Sequence, residues 1–261
     1  MDTVIAGEEK WPTPVEAIVR AFNTWAYKRE QPSDIVLIKR VVASAIERNE
    51  PVPLLLYWGK GPRSTIAEPD VKCLDFLVSM RRRIEAVYPK GAQFHLLLTD
   101  THARLNNHAD EEIAQYFGDI TAAARARGFA CRRLSEVIAA ATYHVQFTRI
   151  EVPETELIEN LTRSAAKWYF GTKSTIEAAT AYYAMNMREK RAVETIFPTA
   201  IFVTFSNSAL RSLFPAHLPI FYMYTLRKGF GVKPWFIADE REQSGRLAIQ
   251  RQVTLEFAAC K

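Results

Sequence analysis

The chain of 261 residues is long enough for one large domain or two small ones with a sizeable hydrophobic core. Apolar residues make up 48% and charged residues 24% of the sequence, which excludes a disordered, collagen-like or coiled-coil protein. No apolar run approaches the roughly 20 residues that a membrane helix needs, and the first residues lack the apolar segment of a signal peptide. We therefore expect a globular protein without a membrane partner.

The net charge of +5, from 34 Lys and Arg against 29 Asp and Glu, suits either nucleic acid or a small anionic ligand. Basic residues mostly alternate with acidic ones, and only residues 81–83 and 132–133 form dense clusters. This pattern favours the small ligand and leaves a basic nucleic-acid-binding domain as the weaker alternative. Cys73, Cys131 and Cys260 are odd in number and lack metal-ligand spacing, so we expect a reducing, cytoplasmic location.

The predicted elements begin with two helices in residues 13–49, where apolar residues recur at helical spacing. The run Val52–Trp58 is apolar without alternation, which is typical of a strand buried on both faces. An amphipathic helix follows over residues 71–88, and a second strand of the same type follows over residues 94–98. These segments predict one βαβ unit.

The next segments extend the same pattern. A polar loop at residues 99–109 leads to a helix that ends at Gly128, and residues 129–134 are predicted as a third strand. The order strand, helix, strand, helix, strand indicates an α/β fold with a Rossmann-like, mostly parallel sheet flanked by helices and joined by right-handed crossovers.

The sequence changes character after the third strand. Residues 136–198 are predicted to be a helical insertion, and residues 199–261, rich in aromatic and β-branched residues, a β-rich C-terminal third. Because no repeat or linker is evident, we expect a single α/β domain over residues 1–261, with N-terminal helices (1–50) and a βαβαβ core (51–135) before these two segments.

Established nucleotide-binding and hydrolase motifs are missing from the sequence. There is no GxxxxGK[ST] loop, and the first strand is followed by Gly59, Gly61 and then Pro62 instead of GxGxxG. Neither GxSxG nor HExxH occurs. We therefore predict no cofactor.

Two histidines raise the question of a metal site. His102 and His108 have Asp100 and Asp110 nearby, but no further ligand follows at a recognisable spacing, so we predict no metal. His95 lies inside an apolar strand and is expected to be a hydrogen-bonded core residue.

Polar side chains concentrate where the predicted strands end. In an open α/β sheet, ligands bind beyond the carboxyl ends of the strands, where the βα loops converge. The loops at residues 59–69 and 99–109 are polar and run to about 10 residues, against a usual 2–6. They are either binding loops or solvated surface, and a third polar stretch follows the strand predicted at residues 200–205.

The side chains in these loops suit an anionic, hydroxyl-rich substrate. Arg binds phosphate or carboxylate in a bidentate fork, Lys supplies a point charge, and Asp and His can transfer protons near neutral pH. The aromatic residues of the last third either wall an amino-acid pocket or fill the core. The candidate catalytic residues are Lys60, Asp100 and His102, and the candidate substrate-binding residues are Arg63, Asp70, Arg104, Asn106, Ser206, Asn207, Arg211 and Trp235.

Four short segments follow one another in an order known from a protein family. They are Trp58-Gly59-Lys60-Gly61-Pro62, Pro69-Asp70, Tyr88-Pro89-Lys90-Gly91-Ala92 and Thr99-Asp100-Thr101-His102. The isocyanide (isonitrile) synthase family, the pyoverdine/dityrosine biosynthesis group, has aromatic-Pro-x-Lys-Ser-Pro, Pro-Asp, Tyr-Pro-x-Gly-Ala and Ser-Asp-Gly-Arg at these places. The chain resembles that family over roughly residues 50–240, as a divergent and short member.

Further matches follow, together with three departures from the family pattern. Tyr116 resembles a family tyrosine near a helix start, and the family's Leu-Ser-Ile-His and Pro-Trp-His correspond to Val203-Thr204-Phe205-Ser206 and Pro234-Trp235-Phe236. Two family histidines are therefore Ser206 and Phe236 here, and the family's Gly-Arg pair is Thr101-His102. These departures leave open whether the family's reaction is retained.

The resemblance implies a natural-product enzyme that condenses the amine of an amino acid, commonly Tyr or Trp, with ribulose 5-phosphate or a similar phosphosugar to form an isocyanide. It implies that no cofactor is needed and that a downstream oxygenase is a pathway partner. It also implies that Lys60 with Arg63 or Arg104 clamps the phosphate. Asp100 and His102 are the implied proton-transfer groups. The missing histidines keep a second interpretation open, a non-catalytic ligand-binding or partner protein that kept the fold.

Overall fold

A parallel sheet forms the centre of the computed structural model, which describes residues 11–59, 66–142, 155–169, 171–206, 208–223, 226–227 and 230–231. Its strands are β1 (Val52–Trp58), β2 (Ala92–Leu98), β3 (Ala130–Arg133), β4 (Ile201–Thr204) and β5 (Ile220–Tyr222). They pair in the order β3-β2-β1-β4-β5, and every pair is parallel. Two short strands, β6 (Leu226–Arg227) and β7 (Phe230–Gly231), follow as an antiparallel pair.

Eight α-helices surround the sheet in the described part of the chain. They are α1 (Thr13–Phe22), α2 (Ile35–Glu47), α3 (Glu68–Glu85), α4 (Asp100–Leu105), α5 (Asp110–Arg125), α6 (Leu134–Thr142), α7 (Thr155–Trp168) and α8 (Thr175–Ile196). A 3₁₀ helix, Ser208–Leu213, connects β4 to β5. Within these ranges, no helix combines the length and the apolarity needed to cross a membrane.

Helices cover both faces of the sheet. On one face, Leu54, Leu56 and Trp58 of β1 share a core with α1, α2, α3 and α5. On the other face, Leu55 and Phe202 pack with residues of α6 and α8. Strand β1 therefore buries side chains in both directions, which explains why its sequence is apolar without alternation.

Side-chain caps stabilise the starts of helices α3 and α8. Asp70, in the first turn of α3, accepts a hydrogen bond of 2.9 Å from the Ala67 N–H. At the start of α8, Ser174 and Glu177 form a reciprocal capping box, with Ser174 N 3.0 Å from Glu177 Oε2. These contacts satisfy backbone N–H groups that have no partner within the helix.

The predicted α/β class, with a mostly parallel sheet flanked by helices, is confirmed. Helices α7 and α8 lie in the predicted helical insertion, and α6 begins two residues before it, at Leu134. The polar loop predicted at residues 99–109 is wrong in part, because α4 occupies six of those residues, too few to show a helical hydrophobic period. Residues 232–261 of the predicted β-rich third lie outside the described residues.

Alanine substitutions on the two faces of β1 test its two-sided burial. Leu55 and Leu56 are only 0% and 2% exposed, so we expect Leu55→Ala and Leu56→Ala each to lower the free energy of unfolding by about 2–5 kcal/mol through the cavity left behind. Urea denaturation followed by circular dichroism measures the change. The control is Leu37→Ala, at a 41% exposed position of α2, where we expect a loss below about 1 kcal/mol. A loss as small as the control's at either β1 position would contradict burial of that face.

Candidate active site at the carboxyl edge of the sheet

The strand order changes direction between β1 and β4, since β2 and β3 lie beyond β1 and β5 lies beyond β4. Open α/β sheets bind ligands in the crevice at such a switch point. Gly59, directly after β1, has a φ of +70°, in the left-handed region that glycine adopts without strain. Phe205 and Ser206 follow β4 on the other side of this point.

The predicted site residues fall into two groups. Lys60, Arg63, Asn207 and Trp235 lie outside the described residues, so their roles stay predictions. The others are placed on four elements, and they are Asp70 on α3, Asp100, His102 and Arg104 on α4, Asn106 at its end, Ser206 after β4, and Arg211 in the 3₁₀ helix.

Asp100 is a buried carboxylate that joins the ends of two strands. One of its oxygens lies 3.0 Å from the backbone nitrogen of Ser135, which follows β3. The other accepts hydrogen bonds from the Ser135 hydroxyl and from Arg104 Nη1, the latter at 2.8 Å. At the neighbouring strand end, Thr99 donates from both its N–H and its hydroxyl to the Trp58 carbonyl oxygen, at 3.2 and 3.1 Å. These contacts hold the exits of β1, β2 and β3 together.

His102 forms a buried pair with a carboxylate that lies 87 residues further along the chain. Its Nε2 lies 3.0 Å from Oε2 of Glu189 on α8, and the exposures of the two residues are 4% and 0%. The Thr101 hydroxyl donates to the other oxygen of Glu189. His102 Nδ1 is buried and has no hydrogen-bond partner among the residues that the structure describes. The Tyr182 ring meets the imidazole edge to face, with centroids 5.4 Å apart.

Tyr57, near the end of β1, carries a second buried polar atom on this side of the sheet. Its hydroxyl oxygen is inaccessible and lacks a hydrogen-bond partner in the described ranges. Burial raises the pKa of Tyr57 well above its ordinary value, and the carboxylates of Glu189 and Glu194 raise it further. The hydroxyl is therefore protonated at neutral pH and can donate a hydrogen bond.

Asp70 lies on the opposite side of β1. Its carboxylate is fully buried and accepts a 3.0 Å hydrogen bond from the Tyr116 hydroxyl in addition to the Ala67 N–H. Tyr116 and Phe117 of α5 also lie beside Gly59, where an added Cβ would be 3.9 Å from either ring. Asp70 therefore helps to position the wall behind the β1 exit.

The remaining predicted residues make contacts within the chain. The Asn106 amide donates to the His102 carbonyl oxygen at 3.1 Å and closes the end of α4. The backbone N–H of Ser206 bonds to the Thr204 hydroxyl at 3.1 Å. Arg211 donates to the carbonyl oxygens of Pro215 and Ala216 at 2.8 and 3.0 Å, which shapes the turn before β5.

The structure thus brings Asp100, His102 and Arg104 together on one short helix. It adds Glu189 and Tyr57, which the sequence analysis missed. Glu189 stands between Arg188 and Lys190, so its local sequence is typical of a solvated helix face. The spacing of Tyr182, Asn186, Glu189 and Val193 on one buried stripe of α8 is the only sequence signal that could have marked it. Across the described ranges, no three His, Cys, Asp or Glu side chains are placed to hold a metal ion.

The strand order and the helices on both faces define an α/β protein of the Rossmann-like class. No protein-family model and no curated protein sequence matches the chain. Among solved structures, the fold is similar to that of the PvcA protein from Pseudomonas aeruginosa, with a TM-score of 0.58, 16% identity, and coverage of 81% of this chain and 83% of that one. At this identity, the likeness shows a shared fold.

A tyrosyl-tRNA synthetase from Archaeoglobus fulgidus, crystallised with L-tyrosine, has a lower similarity. Its TM-score is 0.45 at 12% identity, with coverage of 82% of this chain and 65% of that one. This similarity is too low to carry an argument.

Removing the hydroxyl from each of two tyrosines tests whether the Tyr57 hydroxyl is unpaired. Tyr116→Phe takes one donor from the buried Asp70 carboxylate, so we expect the free energy of unfolding to fall by about 1–3 kcal/mol. Tyr57→Phe removes a buried hydroxyl without a described partner, so we expect no loss or a small gain. Urea denaturation of both variants beside the wild type measures the difference. A loss for Tyr57→Phe as large as that for Tyr116→Phe would contradict this description of Tyr57.

Proposed function

We propose that the chain is a natural-product biosynthetic enzyme of the isocyanide-synthase type. It condenses the amine of an amino acid with a phosphosugar such as ribulose 5-phosphate and forms an isocyanide or a related product. The observation that carries the proposal is the collinear series of segments around Lys60, Asp70, Asp100 and Tyr116, which resembles the isocyanide synthase family. The likeness in fold to the PvcA protein, over 81% of this chain and 83% of that one, supports it.

Condensation of an amine with a sugar ketone needs a group that moves protons. Among the described candidates, His102 is the best suited, because its Nδ1 has no partner while its Nε2 is bound to Glu189. Both oxygens of Asp100 already accept hydrogen bonds from Ser135 or Arg104. We therefore assign proton transfer to His102 and assign to Asp100 the joining of the strand ends.

The phosphate of the sugar needs a cationic clamp. Arg104 has 46% of its side chain exposed, but its guanidinium lies 2.8 Å from Asp100 and 3.3 Å from Asp110. Two carboxylates already offset its charge. We therefore assign the main phosphate contacts to Lys60 and Arg63, which follow β1 in the sequence, and a secondary contact to Arg104.

The hydrogen bonds that both oxygens of Asp100 accept also favour a second candidate function. A predicted acid/base group whose oxygens are both occupied suits a protein that binds a ligand without converting it. Ser206 stands where the isocyanide synthase family has a histidine, and this difference also favours the second candidate. This candidate is a ligand-binding protein that kept the fold and lost the chemistry.

Incubation with amino acids and ribulose 5-phosphate tests the enzymatic proposal. We expect one amino acid and the phosphosugar to be consumed together, and an isocyanide to be detected by mass spectrometry and tetrazine trapping. Stabilisation by ribulose 5-phosphate in a thermal-shift assay, without turnover of any amino acid, would instead support the binding protein. If the chain shows no turnover and no stabilisation, both candidates are overturned.

A pair of lysine variants tests the phosphate clamp. Lys60→Ala removes a charged contact to phosphate, so we expect the KM for the phosphosugar to rise by about tenfold or more. The matched control is Lys90→Ala, at an exposed position before β2 and therefore at the opposite edge of the sheet, where we expect no change. An unchanged KM for Lys60→Ala would remove this lysine from the clamp.

A further inference from the structure

We infer that Glu189 is a positioning residue that holds His102 in one tautomer and leaves its Nδ1 as the base of the active site. The inference rests on the proposed function for the role of the base, whereas the tautomer itself follows from the contacts of the pair. Nothing in the local sequence around Glu189 marks it for this role.

The geometry of the pair fixes the direction of its hydrogen bond. An ionised carboxylate only accepts hydrogen bonds, and Glu189 accepts one from the Thr101 hydroxyl at one oxygen. The other oxygen lies 3.0 Å from His102 Nε2, so Nε2 carries the proton of this hydrogen bond. An imidazole whose single proton is on Nε2 has its lone pair on Nδ1.

The surroundings keep the imidazole in this orientation. Tyr182 stands edge to face against it at an interplanar angle of 85°, and the Asn106 amide bonds the His102 carbonyl oxygen. Both Glu189 and Tyr182 belong to α8, whose capped start and buried stripe anchor it. A carboxylate on a long packed helix therefore sets the orientation of a ring on a helix of six residues.

The pair leaves one of its polar atoms without a partner. Nδ1 is buried, and the part of the chain that the structure describes provides no partner for it. Buried polar atoms are paired in the great majority of cases, and a catalytic role is one of the explanations for an exception. An acceptor oriented by a carboxylate and left unpaired is the arrangement found in oriented histidine bases.

Several polar and charged groups surround the pair. They are Tyr57 on β1, Tyr182 and Glu194 on α8, and Asp100 and Arg104 on α4. Glu194 provides a matched control, because its carboxylate accepts from the backbone N–H groups of Ala216 and His217 rather than from His102.

Imidazole nitrogen NMR of the wild-type chain tests the tautomer without any substrate. We expect a proton on His102 Nε2 and none on Nδ1 at neutral pH, and an Nδ1–H tautomer would overturn the inference. In Glu189→Gln, the amide can donate or accept, so we expect a mixture of the two tautomers. Glu194→Gln is expected to keep the wild-type tautomer. The wild-type spectrum decides the tautomer even where a variant fails to fold.

The split between kcat and KM separates positioning from simple support of the fold. Loss of the carboxylate leaves the imidazole free to adopt the other tautomer, so kcat should fall by about tenfold or more in Glu189→Gln while the KM for the phosphosugar stays unchanged. Glu194→Gln is expected to keep the wild-type kcat. Isocyanide formation with an unchanged kcat in Glu189→Gln would overturn the inference and leave the proposed function standing. If the wild-type chain shows the expected tautomer but forms no isocyanide, the tautomer stands and the proposed function is overturned.

Discussion

Strand β1 lies in the middle of a parallel sheet with helices on both faces, and the rest of the structure follows from that position. Side chains such as Leu54 and Leu55 point to opposite layers, and both are fully buried. A strand of this kind can present polar groups to a ligand only at its ends. The candidate site therefore lies at the carboxyl edge, where Tyr57 is the first polar side chain of β1.

The carboxyl edge is tied together by polar contacts between strand exits. Thr99 bonds the end of β1, Asp100 bonds the segment after β3, and the Met223 N–H bonds the Thr204 carbonyl oxygen at the β4 and β5 ends. Each contact joins neighbours in the sheet order, so the exits of β1, β2 and β3 are linked to one another and the exits of β4 and β5 are linked to each other. Groups that are held in place before a ligand arrives lower the entropic cost of binding it.

The features that depend on local sequence patterns could be predicted. Buried strands and amphipathic helices follow from apolar runs and periodicity, so the α/β class and the placement of Asp100 and His102 at a strand end could be predicted. The partners of these residues could not be predicted, because Ser135 is 35 residues and Glu189 is 87 residues away in the chain. Only the folded packing of α8 against α4 shows that an apparently solvated glutamate is buried.

The buried carboxylates of Asp100 on α4 and Glu189 on α8 differ in the groups that bind them. Asp100 is saturated by donors and binds the strand ends together, so its carboxylate contributes to rigidity. Glu189 is also saturated, but one of its donors is an imidazole whose second nitrogen is left unpaired in the described structure. The polar atom of the pair that has no described partner is therefore His102 Nδ1, and both oxygens of the carboxylate are occupied.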